Sequence, residues 1–302
     1  MLDQLQGLHI EPTNMCTLKC PRCSRTKFIE KFPKQWTNKN LNLDHLKSFL
    51  DIDLTGKVID LCGNYGDPIY YDQLFGMIKF FKDQKCSVRL ATNGSYKTKE
   101  WWQQLVSLLD KDDVITFAID GTPDNFTKYR VNADWESIQQ GIKVVTNSTV
   151  KSVWQYIPFS FNEDNIDQVT QLSEELGFDE FLIMPSDRWA GDDDWLLPSK
   201  YNKTFRSDNI ISWKFENQRD MEIDPKCKIE NNQHFISADG FYMPCCYAGD
   251  YSFYYKTEFY KNRELYDISK TTIIKVLDHL KDFYSTLEDA KLNYCTFNCP
   301  KL

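Results

Sequence analysis

Between residues 7 and 184 the chain alternates short apolar runs with longer stretches whose apolar positions recur every three or four residues. The runs Gly7–Glu11, Lys57–Leu61, Ser87–Ala91, Val114–Ile119, Ser152–Pro158 and Glu180–Met184 are too short for helices and predict strands. Between them, Leu43–Leu50, Tyr71–Lys82, Thr98–Leu109, Trp135–Val145 and Ile166–Leu176 predict amphipathic helices, and Gly177 suits a helix C-cap. Strands alternating with helices of this length imply βα units on a parallel sheet. Six such units are too few to close an eight-stranded barrel, which leaves a partial barrel or an open sheet.

After Pro185 the rhythm stops, and the charged, turn-rich Gly191–Trp195 marks an expected boundary. Beyond it lie five of the ten cysteines: Cys227, Cys245, Cys246, Cys295 and Cys299. Asp239-Gly240 is a hairpin turn signal between Gln233–Ala238 and Phe241–Met243. The aromatic run Phe241–Tyr255 reads as core for a small domain.

Composition narrows the classes. At 302 residues and 41% hydrophobic, the chain can bury one large domain, or one large and one small. A net charge of −8 argues against a protein that coats nucleic acid or anionic membrane, so neither is expected as a partner. Lys19, Arg22, Arg25 and Lys27 form a local basic group, which reads equally as a solvated loop or as a rim around an anionic cofactor. No run approaches the roughly 18–20 apolar residues that span a bilayer. The opening MLDQLQGLHIEPTN carries no export leader, so a reducing, cytoplasmic setting is expected. There cysteines serve as metal ligands or buried residues rather than disulfides, and Cys62 and Cys86, beside predicted strands, read as small buried hydrophobes.

Cys16-Thr-Leu-Lys-Cys20-Pro-Arg-Cys23 follows directly on the first predicted strand, where catalytic loops of parallel βα folds emerge. Three thiols within eight residues suit one metal centre. Structural zinc would normally close with a fourth ligand, whereas three ligands on a four-iron cluster leave one iron open.

This CxxxCxxC resembles the defining motif of the radical S-adenosylmethionine (SAM) superfamily. Further matches follow in order at consecutive strand ends. Gly63-Asn64-Tyr65-Gly66-Asp67-Pro68 stands where the family carries a Gly-Gly-Glu-Pro-like motif, and Ala91-Thr92-Asn93-Gly94 where relatives show Thr-Asn-Gly. Ala118-Ile119-Asp120-Gly121 is similar to the Ser-Ile-Asp-Gly of the SPASM and twitch subgroup, and Tyr129-Arg130 to its Tyr-Arg-Gly. Two departures stand out: Arg22 occupies a position often aromatic in the family, and Asp67 replaces the usual Glu.

The resemblance implies a [4Fe–4S] cluster on Cys16, Cys20 and Cys23, with SAM on its open iron. It also implies Gly66, Asp67, Thr92, Asn93 and Asp120 at the cofactor, with the catalytic candidates Asp120 and Arg130 nearest substrate, Asp120 as base for a hydroxyl proton or as a holder of substrate hydroxyls. Reductive SAM cleavage would yield a 5′-deoxyadenosyl radical, fed by an external low-potential donor such as flavodoxin or ferredoxin. Cys227, Cys245, Cys295 and Cys299 resemble the twitch module, which holds one auxiliary [4Fe–4S] cluster. Four thiolates also suit zinc, and Cys246 is an alternative to Cys245. The expected architecture is therefore α/β: a partial (β/α)6 TIM-like barrel over residues 1–190 and a small irregular α+β cluster-binding domain over 191–302. With the first cysteine at position 16, no room is expected for an N-terminal peptide-binding domain. A small hydroxylated metabolite is therefore the expected substrate, and peptide maturation or a non-catalytic metal-binding module the alternatives.

Overall fold

The computed structural model describes residues 5–184, 194–196, 198, 234–255 and 257–280. Six strands with the expected alternation are present: β1 (Gly7–Ile10), β2 (Val58–Leu61), β3 (Ser87–Thr92), β4 (Val114–Ala118), β5 (Lys151–Tyr156) and β6 (Glu180–Ile183). The helices between these strands are α1 (Ser24–Lys31), α2 (Leu43–Phe49), α3 (Leu74–Asp83), α4 (Lys99–Val106), α5 (Trp135–Val145) and α6 (Ile166–Glu175). Every predicted strand and helix exists within a few residues of its expected bounds. The α/β class is met.

α1 was not anticipated. Among its residues only Phe28 is buried, so it has no apolar stripe to betray it. α2, α4 and α5 start on side-chain caps, with Asn42, Thr98 and Asp134 accepting the N–H of His45, Trp101 and Ser137. Gly177 follows α6 with φ +82°, the C-cap conformation expected of it.

The chain packs as two compact units, each discontinuous in sequence. One comprises Met1–Met15, Thr37–Ser87 and Trp213–Leu302; the other comprises Cys16–Trp36 and Val88–Ser212. In the first, β1 pairs in parallel with β2 (Gly7 opposite Val58) and, on its other side, with β7 (Phe235–Ile236), His9 facing Phe235. β7 turns through Gly240, at φ +80°, into antiparallel β8 (Tyr242–Met243). The predicted hairpin therefore exists. Its pairing with β1 was not expected: the C-terminal segment adds strands beside the N-terminal one. In the second unit, β3 through β6 pair in parallel in chain order.

Core packing sets tight tolerances in the second unit. Trp102 of α4 is fully buried, and a methyl group built on Gly141 of α5 would come within 2.6 Å of its indole. Gly141→Ala sets two effects against each other. Helix propensity favours Ala by about 1 kcal/mol, whereas overpacking a rigid ring costs about 1–3 kcal/mol. Urea denaturation is expected to show net destabilisation of up to about 2 kcal/mol; a stabilised variant would show that α4 and α5 separate at little cost.

Candidate functional site

The cysteine loop begins five residues after β1 and is held from within its own unit. Leu18 and Cys20 are buried in a cluster with Tyr129, Ile157, Phe159 and Leu196, and Cys16 and Cys23 pack against the same cluster. Lys19 N–H donates to the Val131 carbonyl at 3.0 Å, and Cys23 N–H to Cys20 at 3.1 Å. Arg25 donates to the Leu18 carbonyl at 3.1 Å while lying over Trp36. Arg25 is thus a brace of the loop, and Lys19 is the exposed member of the basic group. The chain enters α1 straight from Cys23, so the positive end of that helix follows the third thiol.

Two donors reach Cys16: the Leu18 N–H at 3.4 Å and the Asn93 side-chain amide at 3.7 Å. Asn93 Oδ1 accepts from Ser95 N–H, and Thr92 Oγ1 from Gly94 N–H, so both residues also build the turn after β3. Among the described residues no three Cys, His, Asp or Glu side chains close on a single ion. Three thiols on one buried cluster, one of them receiving two N–H donors, nevertheless fit the anionic sulfur ligands of an iron–sulfur centre, whose potential depends on such bonds.

Asp120, at the end of β4, is completely buried. Its Oδ1 accepts the Ile157 N–H at 2.8 Å, and its Oδ2 the Arg130 Nε–H at 2.6 Å. Burial works against the Arg130 charge, but Asp120, with the Cys20 thiol and Tyr129, outweighs it and pushes the guanidinium pKa up. Both carboxylate oxygens are therefore engaged within the protein. Arg130, with 14% of its side chain exposed, is the partner nearer solvent.

The glycine loop belongs to the other unit. Its backbone lies so close to the chain after β1 that a methyl group on Gly66 would fall 1.7 Å from the Thr13 carbonyl oxygen. Only glycine permits that approach. Asp67 N–H donates to Met15 O at 2.9 Å, and its carboxylate caps the turn Pro68–Tyr70 through Ile69 N–H. Beneath the loop lies Glu11, 1% exposed, whose Oε1 accepts the N–H groups of Tyr65 at 2.7 Å and Gly66 at 3.2 Å. Burial raises its pKa to about 7, against the lowering effect of those bonds. The sequence reading missed Glu11. A lone acid ending an apolar strand was the available signal.

Of the second cysteine group, Cys245 and Cys246 lie beyond β8 in the same unit as the glycine loop, while Cys227, Cys295 and Cys299 fall outside the described residues. Burial, with Cys245 and Cys62 adding to it, raises the Cys246 thiol pKa to about 12. Cys86 is buried as expected; Cys62 is only half-buried.

Glu11 gives a signed pH prediction. Its folded pKa near 7 exceeds the ordinary 4.5, so the folded chain holds the proton more tightly and stability falls as pH rises through that window. Glu11→Gln removes the titration and keeps an acceptor. In urea melts between pH 5 and 8 the parent should lose about 2–3 kcal/mol relative to this variant. Parallel pH profiles would show that Glu11 is not strained by burial.

No protein-family model matches the chain. It is 28% identical over 233 residues to the AdoMet-dependent heme synthase of Methanosarcina barkeri (strain Fusaro / DSM 804), covering 72% of this chain. The match spans 59% of that relative's length. Among solved structures, Streptococcus suis SuiB bound to S-adenosylmethionine superposes with a TM-score of 0.58 at 13% identity, over 87% of this chain and 65% of SuiB. SuiB bound to its precursor peptide SuiA gives 0.58 at 13% identity, over 91% and 73%. At that identity SuiB shares the fold and nothing finer. The heme synthase match and the Cys16–Cys20–Cys23 loop that follows β1 in sequence are the features in which the chain resembles the radical SAM superfamily.

Proposed function

We propose that the chain binds a [4Fe–4S] cluster and SAM, and uses them to abstract hydrogen from a small hydroxylated substrate, such as a sugar or cyclitol, that is oxidised to a carbonyl. The observation that carries the core of this reading is the Cys16–Cys23 loop, with all three cysteines packed on one buried cluster and two N–H donors on Cys16. When bound, the cluster and SAM supply the abstracting radical, and a second cluster on Cys227, Cys245, Cys295 and Cys299 supplies an electron sink.

The chain's own residues do the rest. Cys16, Cys20 and Cys23 hold the first cluster, and Asn93 tunes Cys16. Asp67 accepts the SAM ammonium, and Gly66 lets the backbone approach. Thr92 shapes the turn that carries Asn93. Oxidising a hydroxyl-bearing carbon removes a hydrogen atom, a proton and an electron. Asp120, held at both oxygens, is poorly placed to take that proton, which passes to solvent water, and serves to fix Arg130. Arg130 then donates to substrate oxygens, and an external low-potential protein such as a flavodoxin or ferredoxin provides the reducing electron.

A second reading, peptide maturation, draws on SuiB, whose structure with SuiA shares this fold. Incubation with candidate cyclitols and with short peptides separates the two, 5′-deoxyadenosine being formed in excess of the SAM-only blank with one class alone.

Asp67→Asn keeps the turn cap, since Asn caps as well as Asp, and removes the charge. A charge-assisted hydrogen bond contributes about 1.5–3 kcal/mol, so SAM Kd by equilibrium dialysis should rise by roughly one to two decades. An unchanged Kd would confine Asp67 to the turn. Cys295→Ala should still form 5′-deoxyadenosine but lose the oxidised product. Normal oxidation by that variant, or zinc in the parent's second site, would remove the electron-sink role.

A further inference from the structure

The glycine loop is tied at both ends of its own unit. On one side Glu11, Thr13 and Met15 hold Tyr65, Gly66 and Asp67. On the other, the loop reaches 182 residues along the chain: the Asn64 side-chain amide donates to the Cys246 carbonyl at 2.7 Å. Tyr65 bonds the same turn twice. Its hydroxyl donates to the Gly249 carbonyl at 3.3 Å and accepts the Tyr251 N–H at 2.6 Å. The turn Cys246–Gly249 follows Cys245 directly, and Ala248 within it is fully buried. The Tyr65 ring is largely buried, and burial, with Asp250 and Glu11 nearby, keeps its hydroxyl protonated and so a donor. Neither Asn64 nor Tyr65 is needed to shape the glycine turn: Glu11 takes the backbone N–H of Tyr65, and its side chain points to the cysteine turn.

We propose that Asn64 and Tyr65 form a latch coupling the Asp67 loop to the turn after Cys245, so that SAM binding and order in that turn reinforce each other. The proposal rests on the reading of Asp67 as the ammonium partner and of Cys245 as a metal ligand. Coupling of this kind is reciprocal: whatever fixes the cysteine turn tightens SAM, and SAM protects the turn by the same factor. Tyr65 is a positioning residue. It acts on SAM through Asp67 and on the metal through the chain following Cys245.

The test is hydrogen–deuterium exchange on the full chain, reconstituted anaerobically, with SAM itself as the probe. In the parent, saturating SAM should slow exchange in residues 246–251 by about two- to tenfold, the worth of one or two net hydrogen bonds. Tyr65→Phe removes one hydroxyl and keeps the ring; it should still bind SAM, more weakly, yet lose the protection at 246–251. Without SAM, the same variant should exchange faster in both 63–68 and 246–251. No SAM-dependent change at 246–251 in the parent, or equal protection in Tyr65→Phe, overturns the latch. If dialysis shows that the parent does not bind SAM, the reading of Asp67 fails, and the SAM-free arm decides the latch: faster exchange in one segment only overturns it. Metal content is read separately: zinc keeps Cys245 a ligand and both arms valid, whereas an empty second site removes Cys245 as a ligand and overturns the link to the metal.

Discussion

A loop of eight residues carrying three thiols has little reason of its own to hold one shape. Polar loops gain order only where some of their side chains are buried. Here Leu18 and Cys20 turn inward onto Tyr129, Ile157 and Phe159, and Cys16 and Cys23 are carried against the same surface. The ordering of the cysteines and the neighbourhood of Arg130 both follow from that burial. Tyr129 sits at the centre, its ring 4.3 Å from that of Phe159, and the next residue is the arginine that Asp120 fixes. One hydrophobic anchor thus sets both the thiols and the cation beside them.

The second constraint is electrostatic. Glu11 is buried where a carboxylate is costly, and the cost is offset by the two N–H groups it fixes in the glycine loop. Strain of this sort at a functional loop is common, because a stable site must be prepared before its ligand arrives. The same loop then bonds the turn after Cys245, so the chain's earliest and latest described chemistry share one scaffold.

Much of this was legible in the sequence. Strand–helix alternation gave the fold class, because buried parallel strands are short and continuously apolar, and amphipathic helices show their period. The cysteine spacing and the Gly66-Asp67, Thr92-Asn93 and Asp120 motifs at successive strand ends gave the candidate site, since turns and catalytic loops share those positions. What stayed hidden depends on distance along the chain. α1 lacks an apolar stripe, β7 pairs with a strand more than two hundred residues away, and Glu11 and Tyr65 matter only through partners that no local pattern names. Asp120 shows the limit from the other side: its motif marks the place, but only the structure shows both its oxygens occupied.

The central claim is that Cys16, Cys20 and Cys23 hold the cluster at which SAM is cleaved. The direct measurement is iron and sulfide content together with 5′-deoxyadenosine formation, in the anaerobically reconstituted parent and in a variant with all three cysteines replaced by Ala. The account predicts that the variant retains about half the iron, the share expected for one of two like clusters, and forms no 5′-deoxyadenosine with reductant present. SAM cleavage that survives the triple replacement would contradict it.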